Sequence, residues 1–267
     1  MIGECKIIKS LKTGGQKTVQ LAEHPTIGYV VVKKGAIKSY TSLERIKREV
    51  ELLSELNSVY YPKQYHFNID FKTKEFEIVE DYIEGKELRA SMSQFTSPIQ
   101  ILTLINSIVS GLSLIWEKNI VHRDLKPENI IIRPDNKPCI IDLGIARFLD
   151  LDSLTQTISP YGPCTPFYAA PEQLLNKKNS IDHRTDFFSL GIIALELYLG
   201  IHPFDPNYLG NKFSIAENIM QNIYLLENQT ICKDSIISEF VYKTLQTQPY
   251  NRFRNYQMLQ AFIAKNI

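Results

Sequence analysis

Up to about residue 80 the chain alternates apolar and polar positions. The runs Cys5–Leu11, Thr18–Ala22, Tyr29–Lys33 and Phe76–Glu80 follow this alternation or are β-branched, and predict strands. One stretch breaks the pattern. Leu43, Ile46, Val50, Leu53 and Leu56 recur at helical spacing, the stripe of an amphipathic helix, and the Lys and Glu residues from Glu44 to Glu55 form its solvated face. After Gly85 the period lengthens. Ser97-Pro98 is a helix start signal, and the apolar stripe behind it, ending in Trp116, predicts a helix over 98–118. Short β-like patches follow at Ile130–Ile132 and Cys139–Ile141. The Ser-, Thr- and Pro-rich stretch from Arg147 to Pro166 has little regular pattern, and helical signals return from Pro171 to the end. There is no internal repeat. The pattern predicts an α+β architecture: a small β-rich part with one main helix, and a larger, mainly helical part beyond a hinge near Asp81–Gly85.

Composition narrows this picture. A chain of 267 residues can bury a substantial core, and 44% hydrophobic with 22% charged residues is ordinary for a globular protein. A net charge of +1 gives no basis for nucleic acid or an acidic membrane as main partner. The 4 cysteines (Cys5, Cys139, Cys164, Cys232) are scattered without metal-ligand spacing, so free thiols in a reducing compartment are expected. The N-terminus lacks a signal-peptide stretch, and the most apolar window, read at Leu190–Ile201, is interrupted by Glu196 and too short to cross a bilayer. A cytoplasmic protein without a membrane segment is the expectation.

The residues that carry chemistry centre on Val121-His122-Arg123-Asp124-Leu125-Lys126-Pro127-Glu128-Asn129. Phosphoryl transfer needs a carboxylate to orient the attacking hydroxyl, a cation near the transferred phosphate, oxygen ligands for Mg²⁺, and rigid placement. Asp124 and Lys126 can supply the first two and Asn129 part of the third. Downstream, Ile141-Asp142-Leu143-Gly144 reads as a strand ending in a carboxylate, suited to a hard cation.

These segments resemble the catalytic loop and metal-binding triplet of the protein kinase family, with Leu143 in place of the usual Phe. Ala170-Pro171-Glu172 resembles the motif that closes the activation segment. Asp186 resembles an Asp that braces the catalytic loop, and Arg252 the Arg that pairs with Glu172. The likeness runs from about residue 5 to residue 260, and its compact form resembles bacterial kinases of eukaryotic type. It implies a two-lobed kinase fold in one catalytic domain over 1–267: an N-lobe over about 1–80, a hinge at about 81–85 and a C-lobe over about 86–267. Because the chain ends shortly after Arg252, no sensor domain or anchor is expected.

The resemblance also assigns the nucleotide site. Lys33 follows the family spacing for the lysine that contacts the α- and β-phosphates, with Lys34 as the alternative register, and Glu49 is its expected partner. The glycine-rich loop is the weakest match. Of its three glycine positions, Lys12, Gly14 and Lys17, only Gly14 survives, with Gly15 beside it, and Lys12 and Lys17 offer ammonium groups instead. Backbone groups at Asp81 and Ile83 should meet the adenine edge, Val19, Val31 and Ile131 its faces, and Glu80 borders the inner pocket, where an acid is less usual. The cofactors implied are ATP and Mg²⁺, with Mn²⁺ as a substitute.

Lys126 and Thr165 resemble the serine/threonine branch, so a protein with a Ser or Thr acceptor is the expected partner; oligomeric state is unassigned. Arg123 can gather an activation-segment phosphate, with Thr155 and Thr157 the favoured sites among Ser153, Thr155, Thr157, Ser159 and Tyr161. Two other readings stand beside this one: a pseudokinase acting as a protein-interaction module, and a kinase of small molecules.

Overall fold

The computed structural model describes residues 5–13, 17–37, 39–143, 147–148, 166–225 and 235–267. The chain opens with β1 (Lys6–Thr13), β2 (Lys17–His24) and β3 (Gly28–Ala36), continues through α1 (Tyr40–Glu55), and adds β4 (Gln64–Asp70) and β5 (Glu75–Asp81). These strands form one 5-stranded antiparallel sheet in the order β1-β2-β3-β5-β4. Alternation sorts the faces of β3. Val30 and Val32, both at 0% exposure, pack with Ala22 and Val79 on one side. Val31 and Lys33 take the other. β4 is not among the predicted strands. It lies at the sheet edge, half-buried to exposed along its length, and its Tyr65, Phe67 and Ile69 alternate with His66, Asn68 and Asp70, a strand pattern that the reading passed over.

The chain then leaves the sheet. β6 (Lys86–Glu87) leads into α2 (Leu88–Ser91), and α3 (Pro98–Trp116) follows. Gly85 permits the departure: its φ is +151°, and a Cβ there would sit 2.3 Å from the Ile132 carbonyl oxygen. α3 starts on a reciprocal cap, with Ser97 Oγ accepting from Gln100 N and Gln100 Oε1 accepting from Ser97 N, each at 3.2 Å, and with Pro98 in the first turn. This helix carries a longer apolar stripe than the window read at 190–201. By length and composition alone it could cross a membrane, with a mean hydropathy of 1.7 over 18 residues. Packing accounts for that apolarity, since Ile101, Leu102, Ile105, Ile108, Leu112 and Ile115 are all at 0% exposure in the core.

Four short strands come next, β7 (Ile120–Val121), β8 (Ile130–Ile132), β9 (Pro138–Ile140) and β10 (Arg147–Phe148). The helices α4 (Pro171–Leu174), α5 (His183–Leu199), α6 (Pro206–Leu209), α7 (Ile215–Gln221), α8 (Ser235–Thr244) and α9 (Tyr256–Asn266) complete the described chain. α5 is the central element of this part. Asp182 caps its start by accepting from Arg184 N, Gly200 ends it at φ +72°, and every residue from Thr185 to Leu197 is buried. At Gly191 a Cβ would come within 2.4 Å of Thr244 Oγ1, so glycine is what lets α8 rest on α5.

Candidate active site

A cavity of ≈ 340 Å³ lies between the sheet and the β8–β9 hairpin. Leu11, Val19 and Val31 give it an apolar side from the sheet, and Ile131 and Ile141 give it one from the hairpin. Its edge is the segment Asp81–Ile83, which leaves the sheet. The Asp81 carboxylate is held by that edge: Oδ1 accepts from the Tyr65 hydroxyl at 2.6 Å and Oδ2 from Lys63 N at 3.0 Å. The hydrogen bond to Asp81 pushes the Tyr65 phenol up to about 12.

Strand register decides which lysine enters. Lys33 shares the face of Val31, is 6% exposed and lines the cavity, whereas Lys34 is exposed and pairs with Glu77 at 2.5 Å. Across the sheet Val31 faces Glu80 and Lys33 faces Ile78, so Lys33 and Glu80 are diagonal neighbours within reach of long side chains. Their ion pair closes at 2.6 Å, with Glu80 3% exposed. Glu49, expected as the lysine's partner, lies on α1 with its side chain outside the described residues. Gly14 and Gly15 also lie outside them, as do the side chains of Lys12 and Lys17 and the segment holding Ser153, Thr155, Thr157, Ser159, Tyr161 and Thr165.

Below the cavity the loop 122–129 is fixed from three directions. The buried Asp186 carboxylate accepts from His122 N at 3.0 Å, Arg123 N at 2.9 Å and the Trp116 indole at 2.8 Å. Gln173 Nε2 donates to the Arg123 carbonyl at 2.8 Å. These bonds grip both peptide groups of Arg123, a non-glycine residue held at φ +69°, a conformation that costs about 1–3 kcal/mol and survives only where its surroundings impose it. The turn presents Asp124, whose Oδ2 accepts from Lys126 Nζ at 2.9 Å and from Asn129 Nδ2 at 3.2 Å. Asn129 Nδ2 also donates to the Asp124 carbonyl at 2.8 Å. Pairing of Ile130 with Ile140 then brings the start of β8 beside the end of β9, and Ile141 N donates to the Asn129 carbonyl at 2.9 Å. Asn129 and Asp142 therefore reach the cavity from adjacent strand ends, with Asp142 at φ +68°. Two oxygen-bearing side chains so placed, and open to further ligands, fit Mg²⁺, which keeps several of its own waters.

A second cavity, ≈ 410 Å³, opens beside Lys126, lined also by Glu128, Phe167, Tyr168 and His202. Arg89 gathers its polar groups. It donates to Glu128 at 2.8 Å and Glu196 at 2.7 Å and meets the Tyr168 hydroxyl, which itself donates to Glu196 at 2.5 Å. Burial pushes the Tyr168 phenol upward, reinforced by the adjacent Glu196 carboxylate. Farther back, Arg252 clamps Glu172 with two bonds of 2.7 and 2.8 Å, both side chains almost wholly buried.

The geometry has a counterpart in known proteins. The model of the protein kinase domain matches residues 6–262. The chain belongs to the protein kinase family. Among curated proteins it is 32% identical over 234 residues to serine/threonine-protein kinase pkn2 of Myxococcus xanthus, covering 80% of this chain and 27% of that protein. It is 28% identical over 215 residues to the probable serine/threonine-protein kinase PknB of Lactococcus lactis, covering 75% of this chain and 32% of that one. A segment of 141 residues, 48% of this chain, is 38% identical to part of the rat inhibitor of nuclear factor kappa-B kinase subunit beta, 17% of that protein. The chain thus spans less than a third of the length of these kinases.

The structure places nine of the sequence-selected residues around one cavity: Val19, Val31 and Lys33 from the sheet, Glu80, Asp81 and Ile83 at the edge, and Asn129, Ile131 and Asp142 from below. Asp124 and Lys126 join them through Asn129. Reading the sequence missed Gln173 and Arg89. Gln173 directly follows Glu172 and could have been found as a buried polar residue of a short helix. Arg89 joins residues far apart in the chain, and no local signal marks it.

Proposed function

We propose that this chain is an ATP-dependent protein kinase that phosphorylates Ser and Thr hydroxyls, with both lobes forming one catalytic domain. The observation that carries this reading is the Asp124–Lys126–Asn129 cluster, set on a strained and doubly gripped turn next to a cavity that Lys33 and Asp142 also enter.

In this reading Asp124 orients the acceptor hydroxyl and takes its proton as the oxygen attacks the γ-phosphorus, and the bond from that phosphorus to the β-phosphate oxygen breaks so that ADP leaves. Lys126 neutralises charge on the moving phosphoryl group, and its contact with Asp124 keeps both groups at one spot. Lys33 contacts the α- and β-phosphates. Asn129 and Asp142 would hold the metal ion, Mg²⁺ or Mn²⁺, which supplies charge neutralisation between the phosphates when bound. Asp186 and Gln173 act by holding the turn. The base lies between Val19, Val31 and Ile131 against the backbone of Asp81 and Ile83. Autophosphorylation at Thr155 or Thr157, read by Arg123, is part of the proposal, as is a cytoplasmic setting, with which the buried thiol of Cys139 agrees. No observation favours the interaction-module reading.

The test is incubation of the purified chain with Mg²⁺ and γ-labelled ATP, beside an Asp142→Asn control, with labelled residues mapped by mass spectrometry. Label on Ser or Thr that vanishes in the control is the expected result. Label on Tyr, label that survives the control, or no transfer to any protein acceptor would sink it.

A further inference from the structure

The acid at the inner end of the nucleotide cavity does more than pair with Lys33. One oxygen of Glu80 is engaged, Oε1 with the lysine at 2.6 Å. The other, Oε2, is buried and has no hydrogen-bond partner among the described residues. Gln64, directly across on β4, does not serve it, and the Gln64 amide oxygen is likewise buried without a partner. A desolvated carboxylate oxygen is costly to leave unpaired, and sites that keep one present it to a ligand that brings the donor.

We propose that Glu80 is a specificity-determining residue that selects purine nucleoside triphosphates bearing a 6-amino group and rejects those with a 6-oxo group. This rests on the kinase reading above. The donors of adenosine triphosphate are the 6-amino group and the ribose hydroxyls. Glu80 immediately precedes Asp81–Ile83, the edge assigned to the base, and lines the same cavity, so the 6-amino group is the donor that meets Oε2. A 6-oxo group would set lone pairs against a buried carboxylate, with neither partner able to supply a proton. The lysine is integral to this, because its bond occupies Oε1 and leaves Oε2 as the acceptor still to be served. One side chain thereby couples recognition of the base to placement of the lysine that grips the phosphates.

The experiment compares equilibrium binding of ATP and inosine triphosphate, which differ at the purine 6 position and in the proton on N1, to the wild-type chain, to Glu80→Gln, and to Lys33→Met/Glu80→Met. The double variant leaves no orphaned charge, so a folded protein remains measurable if the single variant is unstable. Contacts from the backbone edge are common to all three proteins, so their share of discrimination cancels when the ratio of Kd for inosine triphosphate to Kd for ATP is compared between proteins. That ratio should fall by about tenfold or more in both variants, the scale of one hydrogen bond to a charged group. A smaller change in the variants that fold overturns the proposal and means that solvent serves the Glu80 oxygen. Wild-type protein that binds neither nucleotide overturns the kinase reading itself, an outcome separate from binding with an unchanged ratio.

Discussion

Among the described residues two ion pairs are buried on both sides, one in the sheet and one among the helices, and they are built on opposite principles. Arg252 and Glu172 satisfy each other and their surroundings. The guanidinium donates to both Glu172 oxygens and to the Arg184 and Gln246 carbonyls, while Glu172 also accepts from the Thr185 hydroxyl. Lys33 and Glu80 are equally buried, yet an acceptor in that pair stays unserved at the edge of a cavity. A saturated pair specifies structure, because any loosening orphans several groups together. An unsaturated pair carries a standing cost that a ligand can relieve. Comparable distances and burial thus mark a brace in one place and a receptor in the other.

The strongest way to break this comparison is Arg252→Ala. It strands a buried carboxylate and should lower unfolding stability by about 3–5 kcal/mol, read as a shift of the urea midpoint. A midpoint within error of wild type would mean that the pair braces nothing. Next in size, Lys33→Met/Glu80→Met should separate function from stability. Phosphoryl transfer should drop by roughly 100-fold in kcat/KM, while stability stays within about 1 kcal/mol of wild type or rises, because apolar isosteres remove the desolvation cost. Stability loss as large as that of Arg252→Ala would erase the distinction.

A smaller effect comes from His202, which lines the second cavity. Burial lowers its pKa, against the opposing pull of Glu196, and Nδ1 accepts from Phe204 N while Nε2 lies 3.0 Å from the Phe167 carbonyl. A lowered folded-state value means the unfolded chain binds the proton first. Its stability contribution is complete above about pH 6.5 and is lost as pH falls below that value. Urea midpoints should therefore decline from pH 7 to pH 5 more steeply for wild type than for His202→Gln; parallel slopes would exclude the imidazole as the cause. Smallest of all is the exposed Lys34–Glu77 pair, where Lys34→Ala should change stability by less than about 0.5 kcal/mol and leave transfer intact. Loss of transfer there would reassign the phosphate-contacting lysine.

What the sequence disclosed follows from how locally each feature is encoded. β3, β8 and α3 were legible because period and caps lie within a few residues, and the 121–129 segment carries its chemistry in one run. Glu80 could be singled out as an unusual acid, but not as the partner of Lys33. That pairing depends on the register of β3 against β5, which the pattern along one strand does not contain. Glu196 shows the same limit. In sequence it only interrupts an apolar stretch, whereas in the fold it is 4% exposed and bound by Arg89 and Tyr168. The edge strand β4 was legible as well, since Tyr65, Phe67 and Ile69 alternate with polar residues, and it was simply passed over.

The Arg252–Glu172 clamp also has a consequence for the order in which the molecule can assemble. Its partners are 80 positions apart, so the closing motif of the activation segment cannot lock until the far end of the helical part has folded back onto it. Closing so long a loop is entropically slow and is rewarded only at the end. Until then Glu172 and the Gln173 beside it stay loose, and Gln173 is what holds the Arg123 carbonyl. A nascent or partly unfolded chain would therefore gain its catalytic turn late, which delays competence for transfer until the helical part has condensed.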